Sequence, residues 1–214
     1  MSRIAIKICG LSTPETLDAA IKAGASHIGM VFFPRSPRNV DFERAAALTA
    51  RVPEHVRRVG VFVDADDELL ARAVTAGKLD ALQLHGKESP ERAAAIRARH
   101  GSQVWKAISI KCRADLDQGH SFAGAADMLL YDAKTPEGAV LPGGMGVRFD
   151  WRLLQDFRHS LSWGLSGGLD ASNVRDAIAI TAAPLVDVSS GVESAPGIKD
   201  VDKIAAFCKA VSQP

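Results

Sequence analysis

The chain has 214 residues, of which 47% are hydrophobic and 24% are charged, and its formal net charge is +1 at pH 7. This composition is typical of a soluble globular protein that can bury one sizeable core. The near-neutral charge excludes the strongly basic surface with which many proteins bind nucleic acids or anionic membranes. We therefore expect neither nucleic acid nor a membrane as a partner.

The cysteines and the N-terminus indicate the cellular compartment. Cys9, Cys112 and Cys208 are far apart and predict neither a disulfide framework nor a zinc site. The first apolar stretch contains Arg3 and Lys7, which a signal peptide would not contain there. No apolar run approaches the roughly 18 residues of a membrane helix. These features predict a cytoplasmic protein.

Short apolar segments alternate with alanine-rich segments along the whole chain. The first pair is a strand over 3–9 and a helix over 13–23, with Thr13 as N-cap, Pro14 next and Gly24 as the stop signal. The remaining predicted strands and helices alternate, in chain order, over 27–33, 42–51, 57–63, 67–76, 80–85, 89–100, 104–109, 114–124, 127–132, 149–157, 162–166, 171–181, 185–189 and 200–211.

Eight strand-like segments, each followed by a helix-like one, predict a parallel α/β sheet. Eight such units close a (β/α)8 TIM barrel, although these barrels typically take about 250 residues. An open, doubly wound sheet is the alternative, and the lack of a G-x-G-x-x-G motif after the first strand disfavours it. Because the sequence has no linker, we expect residues 1–214 to form a single catalytic barrel domain.

The alternation of side chains along each strand predicts which residues point into the barrel. In the first strand these are Ala5, Lys7 and Cys9. A buried unpaired charge is costly, and the eighth strand, which would close the barrel against the first, carries Asp187. We predict that Lys7 pairs with Asp187, either as a structural pair or as part of a substrate site.

Polar residues gather near the carboxyl ends of the strands, where barrels of this type carry their active sites. Cys9 ends the first strand and is a candidate base or nucleophile, or alternatively a small buried hydrophobe. Asp132 ends the sixth strand and is a functional carboxylate or a cap. Gln83 and His85 share the inward face of the fourth strand, where His85 contacts substrate or belongs to the core.

Two glycine-containing loops follow neighbouring strands. One spans 166–169 after the seventh strand, and the other spans 189–193 after the eighth. Glycines let backbone N–H groups approach a phosphate closely, and barrels often bind phosphate at this position. The glycine-rich segment 143–146 provides more amides or is a flexible lid. The sequence therefore predicts a phosphate-bearing small-molecule ligand.

Several motifs, in order along the chain, resemble those of the phosphoribosylanthranilate isomerase family of tryptophan biosynthesis. They are KICGLS at 7–12, GMVFFPRSPR at 29–38, VGVFVD at 59–64, LQLHG at 82–86, YDAK at 131–134, GGMGVRFDW at 143–151, SGGLDASNV at 166–174, DVSSGVE at 187–193 and GIKD at 197–200. The resemblance implies a barrel that converts N-(5-phosphoribosyl)anthranilate to 1-(2-carboxyphenylamino)-1-deoxyribulose 5-phosphate, with neither cofactor nor metal.

The resemblance also implies roles for individual residues. The family's general base corresponds to Cys9, its general acid to Asp132, and the arginine near the anthranilate carboxylate to Arg38. The phosphate-binding positions correspond to Gly144, Gly146, Ser166, Gly167, Gly168, Ser190 and Gly191. One departure is Met145, which stands where the family usually has a small hydroxyl residue.

The expected reaction is an Amadori rearrangement. Asp132 would protonate the ribose ring oxygen, and Cys9, as a thiolate, would remove the proton from C2′. Lys7, two residues away on the same face, is expected to lower the pKa of Cys9. Arg38 can bind both oxygens of a planar carboxylate.

Three alternatives remain open. The first is another phosphosugar isomerase or epimerase, including one that acts on a histidine-pathway aminoaldose, although relatives with that activity typically use two aspartates. The second is a barrel that binds phosphosugars without catalysis, and the third is a purely structural barrel. The sequence is compatible with a monomer or a homodimer.

Overall fold

The computed structural model describes residues 4–135 and 143–212. Its eight parallel strands form a closed barrel in the order β1 to β8, as the sequence predicts. The strands are β1 Ala5–Cys9, β2 His27–Val31, β3 Arg57–Phe62, β4 Ala81–Leu84, β5 Gln103–Ile110, β6 Met128–Ala133, β7 Ser162–Leu165 and β8 Leu185–Val188. Arg3, predicted to begin the first strand, lies outside the described residues, as do residues 136–142 of the loop after β6.

Helices surround the barrel. The α-helices are α1 Pro14–Lys22, α2 Phe42–Thr49, α3 Asp67–Gly77, α4 Pro90–His100, α5 Val174–Thr181 and α6 Val201–Ser212. Short 3₁₀ helices cover Arg113–Phe122, Trp151–Leu154 and Ser190–Val192. Within the described ranges, every helix is too short or too polar to cross a membrane.

The helix boundaries follow their capping residues. Thr13 and Ser89, both predicted as N-caps, accept hydrogen bonds from the backbone N–H groups of Thr16 and Arg92 at 3.3 and 3.2 Å. Each cap satisfies one of the N–H groups that the first helical turn leaves unpaired. Gly24, with φ of 95°, follows α1 in the left-handed region that glycine tolerates best.

The segments after β5 and β6 depart from the prediction. The helix predicted over 114–124 is a 3₁₀ helix, and the one predicted over 149–157 is reduced to Trp151–Leu154. Gly119 lies in the first of these, where a Cβ would approach Leu129 Cδ1 to 2.7 Å, so the segment packs tightly on β6. These compact connections help 214 residues to close an eight-stranded barrel.

A small hairpin after β8 was not predicted. Its strands are β9 Glu193–Ala195 and β10 Ile198–Lys199, which pair antiparallel outside the barrel. The turn between them contains Gly197, whose φ is 82° and whose missing Cβ would lie 2.6 Å from the Pro37 carbonyl oxygen. The hairpin therefore packs closely against the loop that follows β2.

The two faces of the strands bury different groups. Ile6 and Ile8 belong to the large cluster packed between the sheet and the helices, whereas Ala5 faces the barrel interior, which confirms the predicted alternation. The lower interior is filled by Val59, Ala81, Trp105, Leu130 and Leu185. This apolar layer closes the floor of the barrel, so that space for a ligand remains at the carboxyl ends of the strands.

Candidate active site

A cavity of about 810 Å³, which includes space open to solvent, lies among the residues at the carboxyl ends of the strands. Of the site residues that the sequence predicts, all except Lys7 and Gly191 line this cavity. The polar side chains that line it are those of Cys9, Ser36, Arg38, Gln83, His85, Asp132, Thr135, Ser166, Asp187, Ser189 and Ser190.

Lys7 and Asp187 form the predicted ion pair directly beneath this cavity. Lys7 Nζ donates to Asp187 Oδ1 at 3.0 Å and Oδ2 at 2.9 Å, and Lys7 is fully buried. Gly29 on β2 leaves room for this arrangement, since a Cβ there would approach Cys9 Sγ to 3.1 Å and Lys7 Cε to 3.2 Å. A cation, its counter-ion and the thiol thus share one side of the barrel.

The thiol of Cys9 differs electrostatically from the prediction. Burial raises the pKa of Cys9 above its usual value, and the opposing effect of the Lys7 charge does not reverse this. Asp187 adds to the increase, because its negative charge disfavours a second anion nearby. Lys7 therefore lowers the pKa of Cys9, as expected. The pKa that results from all the neighbouring groups is nevertheless raised, which the sequence did not predict.

Asp132 is held by hydrogen bonds from two directions. His85 Nε2 lies 3.1 Å from Asp132 Oδ2, and the Ala133 backbone N–H donates to Asp132 Oδ1 at 2.9 Å. Gln83 Nε2 lies 3.1 Å from His85 Nδ1. Because an amide nitrogen only donates, Nδ1 accepts in this arrangement and His85 carries its proton on Nε2.

Two glycines enclose the Asp132 carboxyl group. A Cβ on Gly143 would lie 2.7 Å from both Asp132 Oδ2 and His85 Nε2. A Cβ on Gly167, whose φ is 90°, would lie 2.6 Å from the Ala133 nitrogen and 3.0 Å from Asp132 Oδ1. The backbone therefore approaches this carboxyl group as closely as glycine allows.

Arg38 reaches the cavity from the loop after β2 and is paired in a way that the sequence analysis missed. Its Nε and Nη2 donate to Glu193 Oε1 and Oε2, each at 2.7 Å, and Nη2 also donates to the Gly144 carbonyl oxygen at 3.0 Å. Lys199 Nζ donates to Glu193 Oε1 at 2.7 Å. Glu193 and Lys199 lie within the motifs at 187–193 and 197–200, but no pattern there indicates that they meet Arg38.

One wall of the cavity is apolar. Val31, Phe33, Val61 and Val63, from the ends of β2 and β3 and the residues that follow them, line it close to Cys9. Such a surface suits a planar aromatic ring, because burial of apolar area provides most of the affinity in small-molecule pockets. The sequence predicts strands over these residues but does not indicate that they share one wall of a cavity.

The predicted phosphate loops meet at the same cavity. Gly144, Gly146, Gly167 and Gly168 all have positive φ and line it together with Ser166 and Ser190. Their glycines expose backbone amides in conformations that other residues rarely adopt.

Gly191 does not line the cavity, and its contribution is to packing. It lies in the 3₁₀ turn Ser190–Val192, where a Cβ would come within 1.9 Å of the Leu169 carbonyl oxygen. The loops after β7 and β8 touch at this point. Met145, which departs from the family pattern, is 49% exposed.

The arrangement combines a thiol, a hydrogen-bonded carboxyl group, a guanidinium, an apolar wall and glycine-rich loops. Across the described residues, no three His, Cys, Asp or Glu side chains are grouped so as to hold a metal ion. Among these groups are a cation that can pair with an anion, exposed backbone amides, and side chains of the kind that transfer protons.

Comparison with known proteins decides the family. A family model described as N-(5'phosphoribosyl)anthranilate (PRA) isomerase matches residues 6–210. The chain belongs to the phosphoribosylanthranilate isomerase family. It is 60% identical over 206 residues to N-(5'-phosphoribosyl)anthranilate isomerase of Zymomonas mobilis subsp. pomaceae, with 96% of both chains covered. It is 53% identical over 207 residues to the isomerase of Paramagnetospirillum magneticum, with 97% of this chain and 96% of the relative covered.

Solved structures of phosphoribosylanthranilate isomerases share the fold. The Thermotoga maritima enzyme matches with a TM-score of 0.88 and 36% identity, over 97% of this chain and 98% of that one. A second structure, of such an isomerase in complex with reduced 1-(o-carboxyphenylamino)-1-deoxyribulose 5-phosphate, matches with a TM-score of 0.85 and 34% identity over the same shares. The predicted TIM-barrel fold and the predicted family are both confirmed.

Proposed function

We propose that this chain catalyses the isomerisation of N-(5-phosphoribosyl)anthranilate to 1-(2-carboxyphenylamino)-1-deoxyribulose 5-phosphate in tryptophan biosynthesis, with Asp132 as general acid and Cys9 as general base. The observation that carries the proposal is that both side chains open onto one cavity that also contains Arg38 and an apolar wall. In this proposal residues 1–214 act as one catalytic domain, as a monomer or a homodimer.

Each part of the substrate has a matching surface. The anthranilate ring lies against the wall formed by Val31, Phe33, Val61 and Val63, and its carboxylate binds Arg38. The phosphate binds the backbone amides of the loops at 143–146, 166–169 and 189–193. This order places the ribose between them, beside Cys9 and Asp132. Gln83 and His85 lie under the sugar, where His85 orients the acid.

Asp132 starts the reaction by protonating the ring oxygen of the ribose. The C1′–O bond breaks, and the nitrogen lone pair forms the Schiff base at C1′. A half-turn of the Gln83 amide would present its buried oxygen, which has no hydrogen-bond partner among the described residues, to His85 Nδ1. In that arrangement His85 Nδ1 donates to the Gln83 oxygen, and its Nε2 accepts a hydrogen bond from the protonated Asp132 carboxyl group.

Cys9 completes the internal redox change. Its thiolate takes the C2′ proton, the C2′–H electrons form the enolamine, and tautomerisation places a proton on C1′ and leaves the ketone at C2′. C1′ is reduced and C2′ oxidised, so no external redox partner enters. Burial raises the pKa of Cys9, and the positive charges of Lys7 and Lys199 oppose that rise and favour the thiolate.

The experiment is turnover of phosphoribosylanthranilate by the purified protein, followed by loss of its fluorescence and by chromatographic identification of the product. We expect fluorescence loss and formation of the carboxyphenylamino-deoxyribulose phosphate. Absence of both, in an assay in which a known isomerase is active, would refute the proposal and favour another phosphosugar reaction. Binding of the reduced product analogue without turnover would indicate a phosphosugar-binding barrel.

A further inference from the structure

The β9–β10 hairpin places Glu193 against Arg38 and Lys199 against Glu193. Arg38, Glu193 and Lys199 are each at most 8% exposed, although all three are charged. Glu193 receives Arg38 on both carboxylate oxygens and Lys199 on Oε1, and the Gly197 N–H of the same hairpin also donates to its Oε2 at 3.2 Å. A buried carboxylate with four such donors is held in one position.

The two parallel hydrogen bonds from Arg38 to the Glu193 carboxylate fix the plane of the guanidinium. They use Nε and Nη2, and Nη2 also donates to the Gly144 carbonyl oxygen. Nη1 therefore has a defined direction, and residues 143–146 line the same cavity as Arg38. A planar guanidinium oriented in advance binds a carboxylate with less loss of conformational entropy than a free one.

Lys199 determines the charge of this group. Arg38 and Glu193 alone would form a neutral pair, which has little attraction for an anion. With Lys199 the three side chains carry two positive charges and one negative charge. Burial of all three limits screening by solvent and salt, so the excess positive charge acts on an anionic group in the cavity.

The hairpin is linked through Ser189 to the strand that carries the thiol. Lys199 Nζ donates to the carbonyl oxygen of Ser189 at 2.9 Å and to its Oγ at 3.2 Å. Ser189 Oγ in turn donates to the Cys9 carbonyl oxygen at 3.3 Å. One two-stranded element therefore binds Arg38 directly and is connected to the end of β1 through Ser189.

We propose that Glu193 and Lys199 are positioning residues that orient and charge Arg38 for the carboxylate of the substrate, so that the β9–β10 hairpin sets specificity for a carboxylated aromatic ring. This inference rests on the proposed function. Neither side chain lines the cavity, so both act through Arg38 and not by touching the substrate.

The test compares two substrates, phosphoribosylanthranilate and phosphoribosylaniline, which lacks the carboxylate, in the wild type and in Glu193→Gln. We expect kcat/KM for the carboxylated substrate to fall about 10- to 100-fold, the size of loss that misplacement of a positioning group produces. The value for the aniline substrate should stay within about twofold of the wild type. In an Arg38→Ala background, Glu193→Gln should cause no further loss.

Two further variants control for stability. Glu88→Gln breaks a comparable buried pair, since Glu88 accepts from Lys106 at 2.9 Å, and it should leave the ratio between the two substrates unchanged. Glu193→Asp keeps the charge but shortens the reach to Arg38. If Glu193→Gln does not fold, Glu193→Asp must show the same selective loss, measured on protein whose circular dichroism matches the wild type.

Equal losses on both substrates in the Glu193 variants, or losses that add to those of Arg38→Ala, would overturn the positioning role while the proposed function stands. If the wild type converts neither substrate, the proposed function fails, and this inference fails with it.

Discussion

Lys7 and Asp187 are register partners on β1 and β8, the two strands that close the barrel, and their side chains hydrogen-bond at 2.9 and 3.0 Å. The pair therefore lies at the seam of the fold and, at the same time, beneath the thiol of Cys9. Burial by itself would lower the pKa of Lys7, but Asp187 and Cys9 raise it above its usual value. Lys7 stays charged, and the site keeps a fixed cation below its proposed base.

Removal of one partner should destabilise the protein. Lys7→Met leaves the Asp187 carboxylate buried without a counter-ion, and we expect the free energy of unfolding to fall by about 3–5 kcal/mol. Lys7→Met combined with Asp187→Leu should recover much of this loss, because no buried charge remains. Urea unfolding measures both variants, and equal stability of Lys7→Met and wild type would show that the pair contributes little.

The rate should depend on pH through Cys9. Because burial raises the pKa of this thiol, its thiolate fraction grows as the pH rises above neutrality. We expect kcat/KM to increase with pH by up to about tenfold per unit until that pKa is reached. The ultraviolet absorbance of the Cys9 thiolate should rise over the same pH range. It is obtained by subtracting the absorbance of Cys9→Ala, which retains the other two cysteines, from that of the wild type. If kcat/KM does not change between pH 7 and 9, formation of the Cys9 thiolate does not limit the rate.

The loops after β7 and β8, which are predicted to bind phosphate, touch each other at Gly191, and a substitution there should break this contact. A Cβ there would meet the Leu169 carbonyl oxygen at 1.9 Å, so Gly191→Ala must push the loops after β7 and β8 apart. Overpacking of this kind costs about 1–3 kcal/mol of stability. We expect the resulting displacement of the loop amides to raise the KM for the phosphorylated substrate. Gly101→Ala, where φ is 66° and a Cβ meets nothing within 4 Å, strains the backbone at the end of α4 and controls for a general loss of stability without a clash between the two loops. If the KM of Gly191→Ala equals that of the wild type, these loops do not bind the phosphate.

Acid should destabilise the fold through His27. Burial is the main reason that the pKa of His27 in the folded chain falls to about 4, well below the value of about 6.5 expected when unfolded. Between these values the unfolded chain binds a proton that the folded chain does not. The stability is therefore complete above about pH 6.5 and declines as the pH falls towards 4, by at most about 1.4 kcal/mol per unit.

The control for this prediction is His27→Gln, which removes the ionisable ring. Its unfolding free energy should fall less steeply between pH 6.5 and 4 than that of the wild type. His159, whose pKa burial also lowers to about 4, should still contribute to the remaining slope. Identical slopes for the variant and the wild type would contradict the assignment.

The barrel, and the gathering of most candidate site residues at one cavity, could be predicted because local patterns encode them. Alternation placed Lys7 and Cys9 on the inward face, and the cost of an unpaired buried charge led from Lys7 to Asp187. Strand ends in a parallel barrel converge, so residues as distant in sequence as Cys9 and Asp132 were expected in one place, and both line the cavity.

The hairpin that holds Glu193 and Lys199 could not be predicted in the same way. Its strands have three and two residues, too short for a period-2 pattern, and its contact with Arg38 spans 155 positions. The raised pKa of the Cys9 thiol could not be predicted either. The spacing of residues in β1 indicates that Lys7 is near Cys9, but it does not indicate how deeply Cys9 is buried. In the 3₁₀ segment Arg113–Phe122, Gly119 packs against Leu129 of β6, a tertiary contact that local propensity does not describe.

The most direct test of the central claim is the turnover of phosphoribosylanthranilate by the wild type beside Cys9→Ala, with binding of the reduced product analogue measured on both. We predict rapid loss of substrate fluorescence with the wild type, a fall in kcat of at least about 100-fold in Cys9→Ala, and nearly equal affinity for the analogue, since the lost group acts on a proton and not in binding. A Cys9→Ala protein that turns over at the wild-type rate would contradict the assignment of Cys9 as the base.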